Sequence, residues 1–196
     1  MVPRAATWCT AEREAAYNPA ASQLTDVAFS GDGGLLAASV AGYYSGGTGS
    51  VWVWRAATGE RLQILGTYGA AQRVEFAPDG TLLAATRPQT CSRGGGGIHL
   101  WADPGDQGPR TLSTQGNSVV DLALHPSGRR VAGVSNHGDP CPGPRVVRIW
   151  DVASGAEQRL LQATAEVTCA ASSPDGTLLG AGDQAGAIHV RVRQRA

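Results

Sequence analysis

One phrase recurs through the chain at a nearly fixed interval, and that interval restricts the fold more than composition does. FSGDGGLLAAS (29–39), FAPDGTLLAAT (76–86), LHPSGRRVAGV (124–134) and SSPDGTLLGAG (172–182) align residue for residue. Asp32, Asp79, Ser127 and Asp175 are separated by 47, 48 and 48 residues. A second landmark follows each of them. VWVW ends at Trp54, IHLW at Trp101, VRIW at Trp150 and IHVR at Arg191, and the three tryptophans are spaced by 47 and 49 residues. Two landmarks keeping one period mark stacked supersecondary units rather than chance likeness.

Within each unit the local chemistry predicts four short strands. Val27 to Ser30 opens the first unit and Val74 to Ala77 the second. In Pro-Asp-Gly, proline presets φ for the first turn position and glycine supplies the left-handed residue that closes a hairpin. A second strand follows over Leu82–Thr86, and a third, alternating and ending in an aromatic residue, over Gly97–Trp101. AATGE and DVASGAE form glycine-containing turns into fourth strands at Arg61–Leu65 and Glu157–Leu161. No stretch longer than ten residues carries a capped helical period. A lone four-stranded sheet exposes both apolar faces, and radial stacking around an axis buries them. The expected fold is therefore an all-β propeller with four blades of four antiparallel strands. The whole chain, 1–196, forms one domain or part of one, with units at about 24–66, 71–113, 118–162 and 166–193.

The turn, the third strand ending in Trp, and the Thr/Ser-Gly turn after it resemble the WD40 repeat family over nearly the whole chain. The sequence departs from that family in two ways. Only Trp150-Asp151 is a literal Trp-Asp pair, and the Gly-His pair usual before the first strand is missing. The family's buried Asp–His–Ser/Thr–Trp network cannot form here in its usual way. The resemblance implies a non-catalytic scaffold, of bacterial type, that binds a protein or peptide. It also implies ring closure in which the first and last segments share a blade. A strand at about 7–18 would then complete the last unit, which stops soon after Arg191. Rings in the family usually have seven or eight blades. Three arrangements follow: a closed four-blade ring, a homodimer completing an eight-blade ring, or a segment of a longer array, such as the regulatory sensor part of a larger signalling protein.

Loops on a rigid scaffold are where binding residues usually sit. From turn to landmark, the first three units span 22, 22 and 23 residues and the fourth spans 16. The excess falls in one connection, at VAGYYSGGTG (40–49), RPQTCSRGGGG (87–97) and NHGDPCPGP (136–144), so all three insertions belong to one rim. Tyr43 and Tyr44 suit a recognition surface, or else plug a gap in the top face. Arg87 and Arg93 suit an acidic or phosphorylated partner, or are solvated loop charges. His137 lies in the third insertion. Cys91 and Cys141 occupy equivalent loops in adjacent units. A disulfide there would close about 50 residues and stabilise by about 4 kcal/mol in the chain-entropy model, whereas a reducing cytoplasm would keep both thiols free. Cys9 and Cys169 read as small, partly buried residues.

Several chemistries find no support. Gly94–Gly97 precedes a strand, whereas a phosphate cradle needs a following helix. His137-Gly-Asp-Pro-Cys141 lacks a second ligand pair, so no metal site is expected. No nucleophile elbow is present, and no cofactor is expected. His99 and His189 hold equivalent third-strand positions and read as blade-surface residues, and His125 replaces an ordinary turn residue. Asp26 and Asp121 repeat by structural position. The formal net charge is zero, which argues against a nucleic-acid partner. No apolar run reaches the roughly 20 residues that span a bilayer, and the N-terminal stretch has no apolar core like that of a secretory signal, so a cytoplasmic location is expected. The rival class is a propeller enzyme, a hydrolase or lyase. It requires ionisable side chains converging at the axis, and the first strands are mostly Val, Ala and Leu.

Overall fold

The structure is a computed structural model that describes residues 22–42, 49–67, 69–87, 97–102, 108–113, 118–136, 146–163 and 165–192. Among these residues all regular structure is β, with no helix. The first sheet runs β1 (Ser22–Phe29), β2 (Leu35–Gly42), β3 (Ser50–Arg55) and β4 (Arg61–Gly66). The second runs β5 (Ala70–Phe76), β6 (Leu82–Arg87), β7 (Gly97–Trp101) and β8 (Arg110–Ser113). The third holds β9 (Ser118–Leu124), β10 (Arg130–Asn136), β11 (Val146–Asp151) and β12 (Glu157–Gln162). The last has β13 (Val167–Ser172), β14 (Leu178–Asp183) and β15 (Ile188–Val192). Each sheet is an antiparallel meander in chain order. The strand expected near the N-terminus lies outside the described residues.

The hairpin turns form as their residues dictate. Gly33, Gly80, Gly128 and Gly176 take φ of 71°, 89°, 69° and 69°, in the left-handed region that side chains avoid. Asp32 Oδ1 accepts from Ser30 Oγ at 2.6 Å and from Gly34 N at 2.9 Å. Asp175 repeats this with Ser173 Oγ at 2.6 Å and Thr177 N at 3.0 Å. In the third unit His125 and Ser127 take over, with Ser127 N donating to His125 Nδ1 at 3.1 Å.

Successive sheets meet through their first strands, since β1 touches β5, β5 touches β9 and β9 touches β13. Three cores lie between the four sheets. Val51, Val53 and Leu65 of the first sheet pack with Val74, Phe76 and Trp101 of the second. Ile98, Leu100 and Leu112 pack with Leu122, Leu124, Val131 and Trp150 of the third. Ala132, Val134 and Val147 pack with Val167 and Ala181 of the last. The landmark tryptophans thus occupy matching places: Trp101 and Trp150 are fully buried and Trp54 is half-buried, with no preceding sheet against it among the described residues. Gly133 makes room for one of them, since a Cβ there would stand 2.8 Å from Trp150 Cζ3.

Two expectations change. His99 is fully buried between the second sheet and the first rather than at a surface, with Nδ1 bonded to Thr111 Oγ1 at 2.9 Å. Cys169 is exposed, because among the described residues no sheet follows the face it occupies.

Candidate functional site

Every first strand carries a register shift at the same place in the repeat. The ladders skip Thr25, Gln72, Val120 and Thr168, which are 47, 48 and 48 residues apart. A bulge redirects the side chain that follows it. The residues so placed are Asp26, Arg73, Asp121 and Cys169.

These side chains tie one sheet to the next. Asp26 Oδ2 accepts from Val74 N at 3.2 Å, and Asp121 Oδ2 accepts from Ala170 N at 2.8 Å. Arginine holds the equivalent place in the second unit, and Glu75, two residues on, substitutes for the missing acid. Its Oε2 accepts from Leu124 N at 3.3 Å. Arg73 then bridges the flanking acids, with Nε 2.9 Å from Asp121 Oδ1 and Nη1 3.5 Å from Asp26 Oδ1. A residue of the second sheet reaches both the first and the third only where the sheets converge. Burial pushes the Glu75 carboxyl above its ordinary range, the Leu124 N–H opposes this, and the Asp121 and Asp26 charges add to the rise.

Beside the Val, Ala and Leu that make up most of the first strands, Asp26, Arg73, Glu75 and Asp121 meet at this convergence. The sequence marks Asp26 and Asp121 as equivalent, whereas Arg73 and Cys169 hold the same place with other residue types and so carry no such mark. The 48-residue offset was the available signal.

The two ends of the sheets differ. On one rim the first-to-second and third-to-fourth turns meet, through Ala56 N to Gly34 O at 2.9 Å and Val152 N to Arg129 O at 2.9 Å. Turns of neighbouring sheets also touch there: Arg110 Nη1 donates to Ala153 O at 2.7 Å, and His125 Nε2 lies 3.2 Å from Gly176 O. On the opposite rim the second-to-third connection meets the link between sheets, through Gly49 N to Gly69 O at 3.1 Å and Gln184 N to Glu166 O at 2.8 Å. Gly49 has no space for a side chain, since a Cβ would lie 2.6 Å from Ala71 N and from Gly69 O. The connections after β2, β6 and β10 all leave from this rim.

Tyr43, Tyr44, Arg93, His137, Cys91 and Cys141 lie within those connections, outside the described residues. Arg87 ends β6, its backbone paired with Ala70. Asp32, Asp79, Asp151 and Asp175 serve as turn acceptors. Asp79 Oδ1 takes Thr81 N at 3.0 Å and Asp151 Oδ1 takes Ser154 N at 2.8 Å. Bonds from the Ser173 hydroxyl and from Thr177 hold Asp175 down to about 2. His189 Nε2 lies 2.9 Å from Asp183 Oδ2 within the last sheet. Among the described residues no group of three or more His, Cys, Asp or Glu side chains is arranged to hold a metal ion, and no helix is long and apolar enough to cross a membrane.

An array of antiparallel meanders meeting at their first strands is the β-propeller fold, and solved structures agree. The chain is similar to the computationally designed Ika4 protein at 20% identity and a TM-score of 0.61, covering 87% of this chain and 91% of that one. It is similar to the Cps50 (Swd1) β-propeller domain of Myceliophteria thermophila at 16% identity and a TM-score of 0.66, covering 89% of this chain and 55% of that one. Kuenenia stuttgartiensis hydrazine synthase matches at 19% identity and a TM-score of 0.64, with 82% of this chain and 44% of that one covered. The chain thus spans about half the length of the latter two. No protein-family model and no curated protein matches it in sequence.

Proposed function

We propose that this chain is a non-catalytic interaction platform, a degenerate WD40-type propeller unit of a bacterial cytoplasm, which binds a protein or peptide on its loop-bearing rim. The observation that carries this reading is the division of labour between axis and rim. At the axis each carboxylate already accepts a backbone N–H of the next sheet, and Arg73 is shared between two acids. At the rim, three long connections start from strand ends fixed by close backbone contacts such as Gly49 to Gly69. Rigid strands bearing variable loops suit recognition.

The enzyme reading has one point in its favour: four ionisable side chains converge at the axis, and Glu75 among them resists ionisation. The carboxylates' hydrogen bonds to the backbone of the next sheet support reading them as structural ties.

The test is affinity capture of proteins from the source cell with the wild-type chain, with Tyr43→Ala/Tyr44→Ala, and with Arg55→Ala on the opposite rim. A retained protein should be lost with the tyrosine pair and kept with Arg55→Ala. Capture indifferent to the tyrosines, or lost with Arg55→Ala, would contradict the rim assignment.

A further inference from the structure

All eight exposed large apolar side chains among those described fall on the two terminal sheets, and the described side chains of the middle sheets include none. On the first sheet Val27 is 60% and Phe29 56% exposed. Their counterparts on the second sheet, Val74 and Phe76, are 4% and 8% exposed, and those on the third, Leu122 and Leu124, 7% and 8%. This leading face packs on the preceding sheet at every internal junction. On the last sheet Ile188 is 79% and Val190 60% exposed. The residues at the Ile188 place in the other sheets, Val51, Ile98 and Val147, are 0%, 0% and 1% exposed. This trailing face receives the following sheet.

The two open faces are unlike each other and mutually complementary. Each internal junction joins a leading face to a trailing face, and among the described residues one of each is left part-open. Val27 and Phe29 are exposed on the first sheet although Ala38, Val40 and Trp52 of the same face are buried. Within one chain they stay apart, as the exposures show. We propose that a second copy of this chain covers both, joined head to tail so that each copy's leading face lies on the other's trailing face. This proposal stands independently of the rim reading. Two identical junctions then close a ring of eight sheets with no open face, the closed two-fold arrangement that unlike surfaces permit. The occupant follows from continuity with three junctions already formed by the same residue types.

One difference sets the new junction apart. At the place of Asp26 and Asp121 the last sheet carries Cys169, so the N–H of Val27 in the next copy meets a thiol, a weak acceptor, instead of a carboxylate. The junction between copies is thus held by apolar contact without the tie, and is the weakest of the ring.

Sedimentation equilibrium of the purified chain tests this. The expected mass is twice 20.1 kDa. A monomer, or open-ended polymers, would overturn the proposal. Phe29→Arg and Val190→Arg alter opposite faces and should each give monomers. An equimolar mixture should recover a one-to-one species, since one unaltered leading face and one unaltered trailing face remain. If one variant is monomeric and the other still dimeric, like faces pair with like and the head-to-tail arrangement is wrong. Both residues are exposed in a single copy, so retained β-sheet circular dichroism should accompany the loss of mass. Ile188→Arg serves in place of Val190→Arg if the latter misfolds. Cys169→Asp should lower the dissociation constant at least about tenfold, by restoring a charge-assisted hydrogen bond at each junction. An unchanged or weaker association would reject the tie.

Discussion

Replacing Asp121 by alanine removes two interactions that the structure makes unequal. Asp121 Oδ2 accepts Ala170 N at 2.8 Å, and its side chain is only 9% exposed. A hydrogen bond to a charged group contributes about 1.5–3 kcal/mol, and its loss leaves the Ala170 N–H without this acceptor. The Arg73 contact at 2.9 Å involves a guanidinium that is 44% exposed, so it adds about 0–1 kcal/mol. Asp121→Ala should therefore cost about 2–4 kcal/mol. Asp121→Asn keeps an oxygen for Ala170 N and should cost about 1 kcal/mol. Asp26 makes the same pair of contacts at 3.2 and 3.5 Å, so Asp26→Ala should cost about 1–2 kcal/mol. Urea unfolding reads these costs as midpoint shifts at constant slope. The reasoning fails if Asp26→Ala is as costly as Asp121→Ala, or if asparagine is no better than alanine at 121.

Gly133→Ala places a methyl 2.8 Å from Trp150 Cζ3, and Trp150 is 1% exposed, so overpacking should cost about 1–3 kcal/mol in thermal unfolding. An unchanged melting temperature would show that the indole can yield. Glu75 holds its proton more tightly in the fold than in the unfolded chain, so its ionisation opposes folding at neutral pH. Glu75→Gln should raise the melting temperature at pH 7. The gain should shrink as pH falls through the raised folded value towards the usual 4.5, and a pH-independent gain would exclude titration as its cause. Asp175, lowered from 3.8 to about 2, contributes stability above its unfolded value, which is lost as pH falls towards the folded one. Asp175→Asn should melt lower than wild type at pH 7, with the difference closing between about pH 4 and pH 2. A gap that persists at pH 2 would contradict this.

Much of the architecture was legible because a hairpin writes itself locally. The third strand over Gly97–Trp101 has the bounds its alternation predicts, and the Pro-Asp-Gly turns supply left-handed glycines where expected. The alternation predicts a first strand that starts at Val27, yet it begins at Ser22, because the bulge at Thr25 breaks the alternation that marks a strand. The axial ties were harder to see. Arg73 stands where the repeat has Asp, and Glu75 restores the acceptor two residues later, a compensation visible only once neighbouring strands are placed side by side. His99 looked like a surface residue because its type is polar. Its place in the sheet, which faces the preceding one, decides its burial instead. Cys169 differs in the opposite sense, since a small residue's burial depends on a following sheet, and none lies there among the described residues.

Methyl and aromatic NOE spectroscopy of the selectively labelled chain tests the radial stacking most directly. Val74 and Phe76 should show cross-peaks to the group Val51, Val53 and Leu65, Leu122 and Val131 to Ile98 and Leu112, and Val167 to Val134 and Val147. Contacts confined within single units, or Val74 joined to the Val134 group in place of Val51 and Val53, would contradict the account.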